Sequence, residues 1–306
     1  MNKVIVIAGP TATGKTALSV RLAKELSGEI ISADSIQIYK KIDIGSAKPS
    51  EEEKCGIPHY LMDFVEADGA YSVADYVCDA KERIDDILSR GKVPIIVGGT
   101  GLYISSLVDN VEFSDSDIDM SVRCRLQEEL EKTSPGAMHK RLAVVDPESA
   151  KAIHPNNTKR VIRALEIYET TGKTRTAYEA ESKLNPSPYD FCLIALNCER
   201  ELLYERINKR VDIMKEQGLF SEVKGLLSDG IPADCQSMQG IGYKEAVMAV
   251  TGEITEDESI ELIKKNSRNY AKRQLTWFKR GNYAWFDCLD ENLYEKVRSH
   301  IGEFGI

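Results

Sequence analysis

The part of the chain best suited to chemistry is a glycine-rich loop near the amino end. Backbone N–H groups in such a loop point inward, and the lysine of this loop, Lys15, adds a full positive charge. The hydroxyl that follows the lysine, on Thr16, can reach a Mg²⁺ ion. The spacing therefore predicts a site for a diphosphate or triphosphate with Mg²⁺ as cofactor, without identifying what the phosphate is attached to. The loop reads Gly9, Pro10, Thr11, Ala12, Thr13, Gly14, Lys15 and Thr16.

The segments on both sides of the loop fit a P-loop. Residues 4–8 form a short apolar run, which predicts a buried strand. Residues 16–27 place apolar side chains at helical intervals, with Leu18, Leu22 and Leu26 among them. An accidental glycine turn would leave both flanking patterns unexplained.

Two other polar residues follow predicted strands. Asp34 stands at the end of the strand predicted over 29–35, and Thr100 follows the strand predicted over 93–97. In a parallel sheet both would lie at the P-loop edge. Asp34 could act as a general base or bind Mg²⁺, or it could simply cap the next turn. Thr100 could bind a ligand through its hydroxyl, or it could only close a tight turn.

The order of the predicted elements indicates an α/β fold. A further strand is predicted over 191–196, whereas residues 121–182 show helical patterns only. We predict a P-loop NTPase-like parallel sheet flanked by helices, with a mainly helical insertion domain. The predicted division is 1–115 for the first part of the core, 116–184 for the insertion, and 185–306 for the return to the core with basic C-terminal helices.

The composition is that of a soluble globular protein, with 42% apolar and 29% charged residues among 306. No apolar run is long enough to span a bilayer, and no signal-peptide pattern precedes the first strand. The seven cysteines form no C-x-x-C pair, which favours reduced thiols over a disulfide framework or a zinc site. We expect a cytoplasmic monomer with no membrane partner.

The distribution of charge tells more than its sum. The net charge of −9 argues weakly against nucleic acid as a partner, but two segments contain no acidic residue. Residues 149–165 carry four basic residues and residues 262–286 carry seven. Each segment could contact a phosphate backbone, and each could equally be a solvated helix face.

Several segments, taken together, resemble the bacterial tRNA dimethylallyltransferases, also called tRNA isopentenyltransferases. They occur in the family's order over nearly the whole chain. Beside the P-loop, they are residues 32–39, 43–49, 56–61, 97–103, 156–166, 206–210, 239–245 and 272–278.

The resemblance implies an enzyme that transfers a dimethylallyl group from dimethylallyl diphosphate to the N6 amine of the adenosine 3′ of the anticodon. It implies that the P-loop holds the diphosphate leaving group, with Lys15, Arg210 and Mg²⁺ stabilising its charge. Asp34 would accept the amine proton, and Thr100 would hydrogen-bond the same base. The adenosine would have to be flipped out of the anticodon loop.

The same resemblance implies where tRNA binds. The two basic segments would hold the anticodon stem-loop by its phosphates. The implied tRNA contacts are Asp34, Ser35, Ile36, Gln37, Thr100, Arg123, Lys159, Arg160, Val161, Ile162 and Arg163.

Three other functions compete with this one. A small-molecule kinase would use the P-loop for ATP, and a related enzyme could prenylate free AMP, ADP or ATP. A basic insertion large enough to hold tRNA argues against both. A non-catalytic RNA-binding module would leave Lys15, Thr16 and Asp34 without a role.

Overall fold

The computed structural model describes residues 2–113, 120–182 and 185–306. Within them, the chain forms six strands and fourteen α-helices. The strands are β1 (Asn2–Ala8), β2 (Gly28–Ala33), β3 (His59–Tyr60), β4 (Val93–Gly98), β5 (Tyr189–Asn197) and β6 (Ala284–Asp287). The helices are α1 (Lys15–Leu26), α2 (Glu51–Lys54), α3 (Val73–Ser89), α4 (Gly101–Val108), α5 (Met120–Lys132), α6 (Pro135–Val145), α7 (Pro147–Ala152), α8 (Thr158–Thr171), α9 (Arg175–Glu181), α10 (Arg200–Glu216), α11 (Leu219–Ser228), α12 (Tyr243–Val250), α13 (Glu256–Phe278) and α14 (Leu293–Glu303).

All six strands belong to one parallel sheet with the order β3-β2-β4-β1-β5-β6. The strand β1 lies in the middle, and its residues Val4 to Ala8 are fully buried. A strand covered by helices on both faces must be apolar throughout, which is why this segment reads as an unbroken apolar run. The predicted α/β fold with a P-loop-like parallel sheet is confirmed.

The ends of β1, β2 and β4 coincide at one edge of the sheet. Ala8 pairs with Gly98, and Gly98 pairs with Ala33. The P-loop, Asp34 and Thr100 each follow one of these strand ends within two residues. The register thus brings three separate sequence segments to the carboxyl edge of the sheet, where ligands of such folds bind.

The chain divides into two compact units. One runs to Leu107 and resumes at Pro188, and it contains the whole sheet; the other is Val108–Ser187. In its described part, the second unit is built only from helices, α5 to α9, around a core that includes Leu126, Leu142 and Val161. Residues 115, 116 and 184, at the predicted domain boundaries, lie outside the described residues.

Of the described helices, none combines the length and the apolar character that crossing a membrane requires. All seven cysteines are free thiols, as predicted from their spacing.

Candidate active site

The P-loop joins β1 to α1 and is held by its own side chains. Gly14 precedes the helix at φ 82°, a left-handed conformation that favours glycine, and no side chain caps the helix. The hydroxyl of Thr13 donates to the carbonyl of Pro10 at 2.9 Å, which closes the curl of the loop. The uncapped N–H groups of the first helical turn therefore remain available to an anion.

Two cations stand over this loop. Lys15 donates from Nζ to the carbonyl of Pro10 at 2.7 Å. Arg210, which α10 brings from far along the chain, donates to Thr11 Oγ1 at 3.1 Å and to the carbonyl of Ala47 at 3.2 Å. Arg210 thus connects the P-loop to the loop that carries Ala47.

Burial, assisted by the charge of Arg210, lowers the pKa of the Lys15 ammonium from 10.5 to about 7, against an opposing effect of Asp34. Burial also lowers the pKa of the Arg210 guanidinium, although Asp34 favours its charged form. Desolvation and like-charge repulsion disfavour two positive charges at one place. An anion between them would relieve both penalties, so the free site is built for a ligand of high negative charge.

Asp34 lies directly after β2, and one oxygen of its carboxylate is used in hydrogen bonds to the backbone. Oδ1 accepts the N–H of Ile36 at 2.9 Å and the N–H of Gln37 at 3.2 Å, so Asp34 does cap the turn that follows it. In the described part of the chain, Oδ2 accepts no hydrogen bond. The turn therefore fixes the carboxylate and leaves its second oxygen able to take a proton.

Thr100 is linked to the same turn. Its Oγ1 accepts the N–H of Ser35 at 3.0 Å, and its own N–H donates to Ala33 at 3.1 Å. Gln37 extends the network by donating to the carbonyls of Ser46 and Ala47. The side chain of Thr100 thus connects the tip of β4 to the turn that holds Asp34.

These elements surround one cavity of about 830 Å³. A volume of this size suits a ligand larger than a diphosphate alone. Six of the eight predicted P-loop residues, Thr11 to Thr16, line the cavity, whereas Gly9 and Pro10 do not. Of the other predicted site residues, Asp34 to Gln37 and Arg210 line it, and Thr100 does not. The apolar part of the wall includes Val211 and Met214 from α10.

Helix α13 contains much of the basic segment 262–286, and it also supplies residues to the cavity that the sequence did not single out. Gln274 is buried, accepts the N–H of Thr11 at 3.2 Å and donates to the carbonyl of Gly99 at 2.9 Å. A Cβ at Gly99 would come within 2.2 Å of the Gln274 amide nitrogen, so a side chain there would displace this amide from its hydrogen bonds. Tyr270 also lines the cavity, and burial, with the nearby charge of Asp34, raises its pKa to about 12, which keeps it a hydrogen-bond donor.

The remaining predicted tRNA contacts belong to the helical unit. Lys159 and Arg160 are exposed in the first turn of α8. Val161 and Ile162 are buried in the core of that unit, so their side chains hold α8 in place. Arg123 and Arg163 both pair with a buried carboxylate on α8.

The described residues include no cluster of three or more metal-ligating side chains. Mg²⁺ usually keeps several waters and binds substrate phosphates, so it takes few ligands from the protein. In a P-loop one of these ligands is the hydroxyl that follows the lysine. Thr16 lines the cavity beside Lys15 and fits that requirement.

The family model described as "IPP transferase" matches residues 37–281. A protein named tRNA dimethylallyltransferase from Acetivibrio thermocellus is 48% identical, over 100% of this chain and 99% of its own. The solved tRNA isopentenylpyrophosphate transferase of Bacillus halodurans is 45% identical with a TM-score of 0.74, covering 100% of this chain and 96% of its own. A eukaryotic dimethylallyltransferase, solved acting on tRNA, is 34% identical with a TM-score of 0.82, over 98% of this chain and 77% of its own.

Proposed function

This chain belongs to the IPP transferase family, and on that premise we propose that it transfers a dimethylallyl group from dimethylallyl diphosphate to N6 of the adenosine 3′ of the anticodon, releasing diphosphate. Prenyl transfer to tRNA is its reaction; the donor, the metal ion and the role of each residue are what we propose. One observation carries the proposal: a single cavity places a P-loop and two partly buried cations beside a carboxylate fixed by its own turn.

The P-loop side of the cavity holds the leaving group. The N–H groups of the loop and the side chains of Lys15 and Arg210 bind the diphosphate. As the bond between the allylic carbon and the phosphate oxygen breaks, negative charge grows on that oxygen. The positively charged groups are already in place, so they stabilise this charge without reorganising.

Mg²⁺ is proposed as the cofactor, with Thr16 as its protein ligand. When bound, the ion neutralises charge on the diphosphate. Lys15 and Arg210 orient the same phosphates from the protein side.

The other side of the cavity accepts the adenine. The base reaches it only when flipped out of the anticodon loop, which costs a few kcal/mol. The N6 nitrogen forms a bond to the allylic carbon and loses a proton to Oδ2 of Asp34. Thr100, which does not line the cavity, contributes by fixing the Asp34 turn through Ser35.

The phosphates of the tRNA are proposed to contact Lys159, Arg160 and neighbouring residues of the helical unit. The fold of this enzyme also permits ATP in the P-loop, as in a kinase. Strand β4 ends at Gly98, however, and is followed by Gly99, where P-loop phosphotransferases and NTPases usually carry an acidic residue that directs Mg²⁺. A cytoplasmic monomer remains our expectation.

The proposal is tested by incubating the protein with radiolabelled dimethylallyl diphosphate, Mg²⁺ and unmodified tRNA. We expect label in tRNA, located at the adenosine 3′ of the anticodon. Parallel reactions with AMP, ADP or ATP as acceptors should stay unlabelled. Label in a free nucleotide instead, or ATP consumption with a small acceptor, would replace this proposal with one of its competitors.

A further inference from the structure

A buried carboxylate in the helical unit holds two arginines at once. Glu166 on α8 is fully buried. Arg123 on α5 donates to its Oε2 from Nε at 3.2 Å and from a terminal nitrogen at 2.9 Å. A terminal nitrogen of Arg163, one turn before Glu166, lies 3.0 Å from the same oxygen. Guanidinium groups from two helices therefore meet on one carboxylate oxygen.

This cluster is poorly explained as a device for stability. Burying a carboxylate costs free energy that ion pairs offset only in part. The second oxygen, Oε1, accepts no hydrogen bond in the described part of the chain, which adds to the cost. The arginine side chains, by contrast, are each 34% exposed. The cluster thus buries the acid and presents the two bases.

The arrangement suits phosphate recognition. A guanidinium has five N–H donors in a fixed plane, and Arg123 directs only Nε and one terminal nitrogen at Glu166. Two guanidinium groups this close would repel each other without the carboxylate between them. An arginine already fixed in one rotamer loses less entropy when it binds a phosphate oxygen.

We infer that Glu166 is a positioning residue, which holds Arg123 and Arg163 side by side for the phosphates of the tRNA anticodon stem-loop. The inference rests on the proposed function, because it takes tRNA as the ligand of this unit. It has an unusual consequence. Removing an acidic residue from an RNA-binding surface ordinarily strengthens binding, whereas removing this one weakens it.

The test measures the affinity of Glu166→Gln for the anticodon stem-loop over a series of salt concentrations. We expect the Kd to rise roughly tenfold, as for the loss of one charge-assisted contact. The slope of log K against log salt should also fall by about one, because arginines that are no longer held engage fewer phosphates. The KM for tRNA should rise with kcat unchanged. Unchanged or tighter binding would overturn the inference.

Glu169 provides the matched control. It lies on the same helix and pairs with Arg125 and Arg141. Glu169→Gln therefore removes an acidic charge without touching Arg123 or Arg163, and we expect its affinity to stay equal to that of the wild type or to increase. A loss of affinity equal to that of Glu166→Gln would mean that the unit is merely destabilised, which contradicts positioning.

If Glu166→Gln does not fold, Arg123→Lys tests the same idea at a partly exposed side chain. Lysine keeps the charge but not the paired donors, so we expect it to lose as much affinity as Arg123→Gln. Wild-type affinity in Arg123→Lys would overturn the inference. The proposed function fails separately, if the wild-type enzyme does not label tRNA.

Discussion

The protonation of Lys15 gives a quantitative test of the leaving-group site. Burial and the neighbouring Arg210 lower its pKa to about 7 in the free protein. At pH 8 such a group is only about one-tenth protonated. Diphosphate adds several negative charges beside it, which favours the ammonium form and raises its pKa well above 8.

We therefore expect binding of dimethylallyl diphosphate to take up about 0.9 proton at pH 8, and about 0.5 at pH 7. The diphosphate group itself is nearly fully ionised at pH 8, so the proton enters the protein. Isothermal titration calorimetry measures this uptake directly, from the binding heats in two buffers with different ionisation enthalpies at constant Mg²⁺.

Lys15→Met is the control, and its uptake should fall close to zero at both pH values. If wild-type binding takes up no proton at pH 8, Lys15 is already charged in the free site, and the electrostatic argument is wrong. If uptake persists in Lys15→Met, the proton enters another group, and the assignment to Lys15 is wrong.

Four further predictions concern individual groups. Lys15→Met should raise the free energy of unfolding at pH 7, measured by urea denaturation, because the pKa of Lys15 is lower in the folded protein than in the unfolded chain. The fall from 10.5 to about 7 corresponds to a cost of about 4 kcal/mol at pH 7, of which the lost hydrogen bond to Pro10 offsets about 1–3 kcal/mol. This cost is fully present below pH 7 and disappears as the pH rises towards 10.5, so the gain in stability should vanish at high pH. Asp34→Asn keeps an acceptor for the turn but no base, so its single-turnover rate should fall about 10²–10⁴-fold while tRNA affinity changes little; an unchanged rate would remove Asp34 as base. Gln274→Met leaves the N–H of Thr11 and the carbonyl of Gly99 unpaired, so kcat/KM should fall about tenfold in steady-state assays. A wild-type kcat/KM would mean that these two hydrogen bonds of Gln274 do not support the site. Neutralising Lys159, Arg160 and Arg163 together should weaken tRNA binding and reduce its salt dependence. If the affinity and the slope of log K against log salt equal those of the wild type, these residues of α8 do not contact tRNA.

Local patterns were enough to predict the central part of the fold. The apolar run of β1, the P-loop and the periodicity of α1 are adjacent in the chain, so the sequence alone predicted them. The strands β3 and β6 were not predicted. They have two and four residues, lie at the two edges of the sheet and are only partly buried, so they lack the apolar run that marks β1.

The site could be predicted only in part, because several of its contacts join residues far apart in the sequence. Gln274 meets Thr11 across 263 positions, and no periodicity predicts that the two residues will touch. The role of Arg210 came from the resemblance alone, for the same reason. The pairing of Arg163 with Glu166 is different. It spans three positions on one helix, a spacing at which opposite charges commonly pair, so the sequence already held that signal.

The division of the chain could be predicted only approximately. The helical character of 121–182 is plain from the sequence, and α5 to α9 account for it. The two compact units divide between Leu107 and Val108 and between Ser187 and Pro188. The chain leaves the first unit at the end of α4, within a continuous helix, where the composition gives no signal of a boundary.

The proposed reaction is tested most directly by a crystal structure of the protein with dimethylallyl diphosphate and Mg²⁺. We expect the diphosphate on the N–H groups of Gly14 to Thr16, in contact with Lys15 and Arg210, with the allylic carbon facing Oδ2 of Asp34. A diphosphate bound elsewhere, or an allylic carbon turned away from Asp34, would contradict the proposed reaction.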